Sequence, residues 1–97
     1  MIVNETNPVF SRGDVAKILN VVPATIANRE NKKIYPTPSR DLNGRRIYTI
    51  EDVLLLQIIS YNKIDPGAII SFLYDKGYRD QKSLIKLIDK AIAKITK

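Results

Sequence analysis

Pro36 and Pro38 forbid regular helix across Ile34 to Ser39. Each lacks the amide hydrogen that a helix interior needs, and its ring clashes with the preceding turn. Any fold this chain adopts must therefore break in its first half. Just beyond the break, Asn43-Gly44 is the strongest short hairpin signal in the sequence. A two-residue hairpin turn takes positive φ at both central positions, which these residues tolerate. Such a turn pairs Leu42 with Arg45 and Asp41 with Arg46.

The residues before the break read as two short helices. Ser11 is a good helix cap with Asp14 three positions on, and Phe10 and Val15 are placed to staple across it. Val15, Ile18 and Leu19 then share a face, and Asn20 suits the left-handed end of a helix. Pro23 fits the first position of a second helix, although Val22 offers no capping acceptor. In that helix Ile26 points inward, while Ala24, Thr25, Asn28 and Asn31 form a small, polar, nearly uncharged outer surface. The helix is predicted to end near Asn31. The short break between the two helices has the length of a helix-turn-helix.

After the hairpin, Thr49 caps a third helix, with Glu51 and Asp52 at the positive end of its dipole. Its Val53, Leu54, Leu55, Leu56, Ile58, Ile59 and Tyr61 leave few polar positions, so it is the core helix. Pro66-Gly67 opens a fourth helix with Ile69, Ile70, Phe72 and Leu73 as its apolar set and Gly77 as its stop. The last helix, from Asp80 to Thr96, is the cleanest amphipath. Leu84, Leu87, Ile88, Ala91 and Ile95 mark one side; Lys82, Lys86, Lys90, Lys94 and Lys97 mark the other. The apolar side either packs on the helix from Glu51 or forms a dimer with a second copy, and two heptads are too few for a strong coiled coil alone. Residues 1–8 read as an N-terminal arm with an edge strand at Ile2-Val3, 9–76 as the main domain, and 80–97 as the terminal helix.

With 97 residues the chain makes one domain with a modest core. It has no cysteine and no histidine, which removes disulfides, thiolate nucleophiles, imidazole bases and nearly every zinc pattern. Among the acids only Glu51-Asp52 are adjacent, and helix capping accounts for them. We therefore expect no enzyme, no metal and no cofactor. The formal charge of +6 is uneven. Arg29, Lys32, Lys33, Arg40, Arg45 and Arg46 face only Glu30 and Asp41, and a second basic segment follows Lys76. Such a surplus suits phosphate backbones or anionic membranes. The terminal helix lacks the Trp or Phe margin of a membrane-surface helix. Nor does the sequence carry a membrane-length apolar run or a signal-peptide pattern. A cytoplasmic, nucleoid-associated protein is expected.

Asn43-Gly44-Arg45-Arg46-Ile47-Tyr48-Thr49-Ile50-Glu51-Asp52-Val53 resembles the wing-and-helix signature of the mercury-resistance-regulator-like (MerR-like) winged helix-turn-helix family. Upstream, Val15-Ala16-Lys17-Ile18-Leu19 and Val22-Pro23-Ala24-Thr25-Ile26 resemble that family's helix-turn-helix. Related excisionase-like proteins share the same core. The resemblance spans Val9 to Leu73 and implies a mostly α winged helix-turn-helix with a two-stranded β-hairpin wing and additional C-terminal helices. It also implies double-stranded DNA as partner, and no small-molecule effector, since the sensor domain of inducer-responsive members has no counterpart.

On this reading Asn28 reads a base edge, because an amide bonds adenine bidentately in the major groove. Thr25 and Arg29 hold phosphates, although Arg29 could instead pair with Glu30 on the surface. Arg40, Arg45 and Arg46 beside Asn43 suit phosphates and narrow minor grooves, unless Arg46 is spent on Asp41 across the hairpin. Lys32 and Lys33 are weaker DNA candidates, and Tyr48 either touches DNA or packs beneath the hairpin. The expected function is a sequence-preferring duplex-DNA-binding protein, a small transcription regulator or an architectural factor of a phage, plasmid or chromosome. It would act as a homodimer or a head-to-tail array. The alternative is a protein–protein adaptor, antitoxin-like or for partition, on the same scaffold.

Overall fold

Two reciprocal capping boxes set the ends of the first and third helices. At α1 (Arg12–Leu19) the Asp14 amide donates to Ser11 Oγ at 3.1 Å, and the Ser11 amide donates back to the Asp14 carboxylate at 3.0 Å. At α3 (Ile50–Tyr61) Thr49 and Asp52 make the same exchange at 3.2 and 3.0 Å. Each box satisfies amide groups that a helix start leaves without partners. Both helices end on an asparagine in the left-handed region, Asn20 at φ 61° and Asn62 at φ 59°. The computed structural model describes residues 8–96, so the edge strand expected at Ile2-Val3, most of the arm and Lys97 lie outside the described residues.

Between these helices come α2 (Pro23–Asn31), then β1 (Ser39–Arg40) and β2 (Arg46–Ile47), which pair antiparallel. As expected, Val22 supplies no side-chain cap to α2. After α3 follow α4 (Pro66–Asp75) and α5 (Gln81–Ile95). The described chain is thus mostly helical, with one small two-stranded sheet. Phe10 adds a single bridge beside the hairpin, its amide and carbonyl both bonded to Tyr48.

The hairpin register differs from the sequence expectation. Arg40 faces Arg46 and Ser39 faces Ile47, so Asp41 does not meet Arg46. Asp41 instead closes a three-residue loop: its amide donates to the Arg45 carbonyl at 2.9 Å and its carbonyl accepts from Gly44 at 3.0 Å. Its Oδ1 also accepts the amides of Asn43 and Arg45, both at 2.9 Å. Only Gly44, at φ 81°, takes the left-handed conformation, and Asn43 does not. The arrangement is an ordinary turn closed by a left-handed glycine, the usual alternative to the two-residue hairpin. The Asp41 side chain selects it.

One core lies under all five helices. Phe10, Val15, Leu19, Ile26, Val53, Leu54, Ile69, Leu73, Leu84 and Ile88 are buried in it. Gln57 is buried too, and both ends of its amide are satisfied by the Asp65 backbone at 3.0 Å. That exchange fixes the turn between α3 and α4. The Tyr61 hydroxyl donates to the carbonyl of Leu19 at the end of α1. Gly77, at φ 106°, closes α4 as its sequence position predicts, with the Tyr78 amide reaching back to Leu73.

α5 packs on α3 and α4, and Leu84, Ile88 and Ala91 are buried there, with Leu87 and Ile95 partly covered. Of the seam residues Leu84, Leu87, Ile88, Ala91 and Ile95, the three buried ones, Leu84, Ile88 and Ala91, serve the core of this chain and are not open to a second copy. The exposed side carries Lys82, Lys86, Lys90 and Lys94. Lys94 comes within 3.4 Å of Glu51 at the start of α3. Burial works against the Glu51 charge, but bonds from its own backbone, Thr49 and Lys94 outweigh it and hold the carboxyl below its ordinary value. Among the described residues no helix is long and apolar enough to cross a membrane.

Candidate nucleic-acid interface

Helical spacing divides α2 into two faces. Ile26 and Glu30, one turn apart, are buried, whereas Ala24, Asn28 and Asn31 are exposed on the opposite side with Thr25 at the margin. The exposed face is short-chained and uncharged, so another surface can approach its backbone closely. Lys32 and Lys33 follow it, both exposed. Lys33 adopts φ 65°, which turns the chain sharply away from the helix.

Glu30 organises everything beneath that face. Its carboxylate accepts from the Arg12 guanidinium at 2.6 Å and from the Tyr48 hydroxyl at 2.5 Å, and Arg46 Nε stands 3.8 Å away. One buried acid thereby ties α1, α2 and the hairpin together. Burial, then the bond to Glu30, pushes the Tyr48 hydroxyl up to about 12. For Arg12, burial opposes the charge, but bonds with Tyr48 and Glu30 outweigh it and the pKa rises. Arg12 Nε is itself buried without a partner.

The expected contact residues fall into distinct groups. Tyr48 is 2% exposed and its hydroxyl is engaged by Glu30, so it is a packed residue and its assignment as a DNA contact is corrected. Arg29 is half-buried; its guanidinium donates to the Tyr35 hydroxyl at 2.7 Å and lies over the Tyr35 ring, and it does not pair with Glu30. Tyr35 in turn bonds Ser60 of α3, so Arg29 braces the chain after α2 more than it offers charge outward. By contrast Asn28, Lys32, Lys33, Arg40, Asn43 and Arg45 are all exposed. Arg40 bonds the Gly44 carbonyl at 2.7 Å across the loop.

Three of the expected cations meet at one place. An open cleft of about 200 Å³ joins the end of α2 to the root of the hairpin, lined by Lys33, Arg40 and Arg46 together with Glu30, Asn31 and Thr37. Arg40 stands directly opposite Arg46 in the sheet register. Like charges opposed across a strand pair destabilise it. The only carboxylate lining the cleft is Glu30, which is engaged by Arg12 and Tyr48 and shared at 3.8 Å with Arg46, leaving Lys33 and Arg40 without an acid there. The cleft therefore holds a cationic surplus suited to a phosphate-sized anion.

Sequence reading missed Glu30 and Arg12. The one available signal was the four-residue step from Ile26 to Glu30, which places a carboxylate on the buried side of α2. Among the described residues no cluster of acids fit to hold a metal ion occurs. Comparison with known proteins returns no match to any family model, curated protein or solved structure.

Proposed function

We propose that the chain is a winged helix-turn-helix protein that binds double-stranded DNA, with α2 in the major groove and the hairpin as a wing along the adjacent backbone and minor groove. The observation that carries this reading is the opposition of Arg40 and Arg46 in a cleft shared with Lys33, next to the neutral outer face of α2. A polyanion relieves that repulsion, and a strand of phosphates running between helix and wing would do so while Asn28 faces the bases. A single helix and wing read a short site, so the protein would act as dimers or serial arrays on repeated sites. Because Leu84, Ile88 and Ala91 of α5 are buried in the core, such assembly would use another surface or the DNA itself. The role is that of a small transcription regulator or an architectural factor, not an enzyme.

Arg40→Ala/Arg45→Ala tests this directly by measured duplex affinity across a salt series. The slope of log affinity against log salt should flatten by about 2, since each phosphate contact contributes roughly 0.9. Unchanged affinity and slope would remove the wing from the interface.

A second reading, a protein–protein adaptor, draws on a different place. At the turn from α4 to α5, Tyr74 and Tyr78 are 40% and 44% exposed, and Arg79 stacks 4.1 Å over Tyr74. Tyrosine and arginine are enriched in protein interfaces. A chain acting only through that turn would show no salt-dependent duplex binding.

A further inference from the structure

Leu42 is the most exposed large apolar side chain among the described residues, at 106% of its reference area; Val22 and Val9 follow at 62% and 60%. It sits at the tip of the hairpin, in the first central position of the turn closed by Asp41 and Gly44. That position accepts most residues and favours proline, so the turn itself does not call for leucine. Isolated apolar residues on a surface are common, so exposure alone says little and the setting of the side chain decides. Leu42 is held wholly in water.

The tip beneath it is rigid. Asp41 Oδ1 accepts two loop amides at 2.9 Å, its carbonyl accepts a third at 3.0 Å, and Arg40 bonds the Gly44 carbonyl from the side at 2.7 Å. A loop so braced cannot fold Leu42 back onto the protein. Arg40 and Arg45, both exposed, flank the loop on either side in sequence, whereas Arg46 turns back toward Glu30 at the root. An apolar point on a firm base, with an arginine on each strand beside it, matches the means by which proteins pry base steps apart from the minor groove: cations grip the flanking phosphates while an aliphatic side chain enters the stack and bends the duplex.

We propose that Leu42 is a DNA wedge, inserting between adjacent base pairs from the minor groove and bending the duplex toward the major groove. This inference rests on the duplex-binding reading above and adds what the wing does once it is bound. An anionic bilayer is the other surface that attracts an apolar tip among cations. One leucine buries too little area for lasting membrane attachment, since even a single fatty acyl chain binds only marginally.

The test uses the whole protein and a duplex of about 30 base pairs, rich in A·T, carrying a donor and an acceptor dye at its ends. A second copy of the duplex carries 2-aminopurine at successive steps, a base whose fluorescence rises when it is unstacked. Wild type should raise energy transfer and brighten one step. Leu42→Ser should lose more than half of both signals while affinity falls by only about threefold to tenfold, and Leu42→Phe should keep both. Leu42 touches no core residue, so unaltered circular dichroism in both variants is expected. If wild type and Leu42→Ser bind with equal bend and equal brightness, the wedge is overturned and duplex binding stands. If wild type fails to bind the duplex at low salt, both fall together. Binding to phosphatidylserine-containing vesicles that depends on Leu42, without a bent duplex, would overturn the wedge in favour of a membrane contact.

Discussion

At the root of the hairpin, Tyr48 and Arg46 converge on a carboxylate that is 8% exposed, whereas at its tip Leu42 and Asn43 stand in solvent. The root is held by long-range bonds between elements remote in sequence; the tip is held by bonds within the six residues from Arg40 to Arg45. Substitutions at the root should therefore act on folding first, and substitutions at the tip on binding with little change in folding. The difference teaches where rigidity is required. A projection that must meet another molecule in a fixed pose needs a firm base and an internally braced end, while its outer side chains stay unengaged.

The largest effect is expected from Glu30→Ala. It strands the Tyr48 hydroxyl and the Arg12 guanidinium together and should lower unfolding free energy by about 2 to 3 kcal/mol in a urea titration, the lower end for a broken buried pair because Arg12 is partly exposed. A loss below about half a kcal/mol would erase the contrast between root and tip. Tyr48→Phe should follow at about 1.5 kcal/mol, as one hydrogen bond to a charged acceptor is lost. It also carries a pH signature. The folded-state pKa of Tyr48 is raised from 10.0 to about 12. Its contribution is thus complete below pH 10 and declines as pH climbs toward 12, because the unfolded chain gives up that proton first. Stability curves of wild type and Tyr48→Phe should converge across that interval.

Gly44→Ala probes the tip. No atom lies within 4 Å of the added carbon, so the cost is the left-handed backbone alone, about 1 kcal/mol by thermal unfolding. Loss of duplex bending in that variant at full fold would sharpen the contrast, because it separates loop shape from core stability. The smallest effect belongs to Lys94→Ala, just past the root. Lys94 is 71% exposed, so its pair with Glu51 is screened and worth about 0.5 kcal/mol or less. With the Glu51 pKa lowered from 4.5, that contribution is present above pH 4.5 and disappears as acid is added below it.

Caps and helix ends were legible in the sequence because they depend on neighbours a few residues apart. Ser11 with Asp14, Thr49 with Asp52, Asn20 and Gly77 all take the positions their chemistry predicts. The hairpin was legible as a hairpin but not in its register: Asn43-Gly44 and Asp41 favour different turns, and only the bonds made by the Asp41 carboxylate decide between them. The site was harder to read. Whether Tyr48 and Arg29 face outward depends on Glu30, Tyr35 and Ser60, in bonds that span 6, 18 and 25 residues of the chain. Likewise the apolar side of α5 has one pattern whether it covers α3 or a second molecule, and only the packing shows that Leu84, Ile88 and Ala91 are buried within this chain.

Phe10 is bonded to Tyr48 through its backbone, and Lys94 reaches Glu51, so the early and late parts of the described chain are both moored at residues 48–51. A cut in the exposed turn between Gly77 and Arg79 would leave both of those contacts in place. The middle of the chain thus serves as the anchorage for what comes both before and after it.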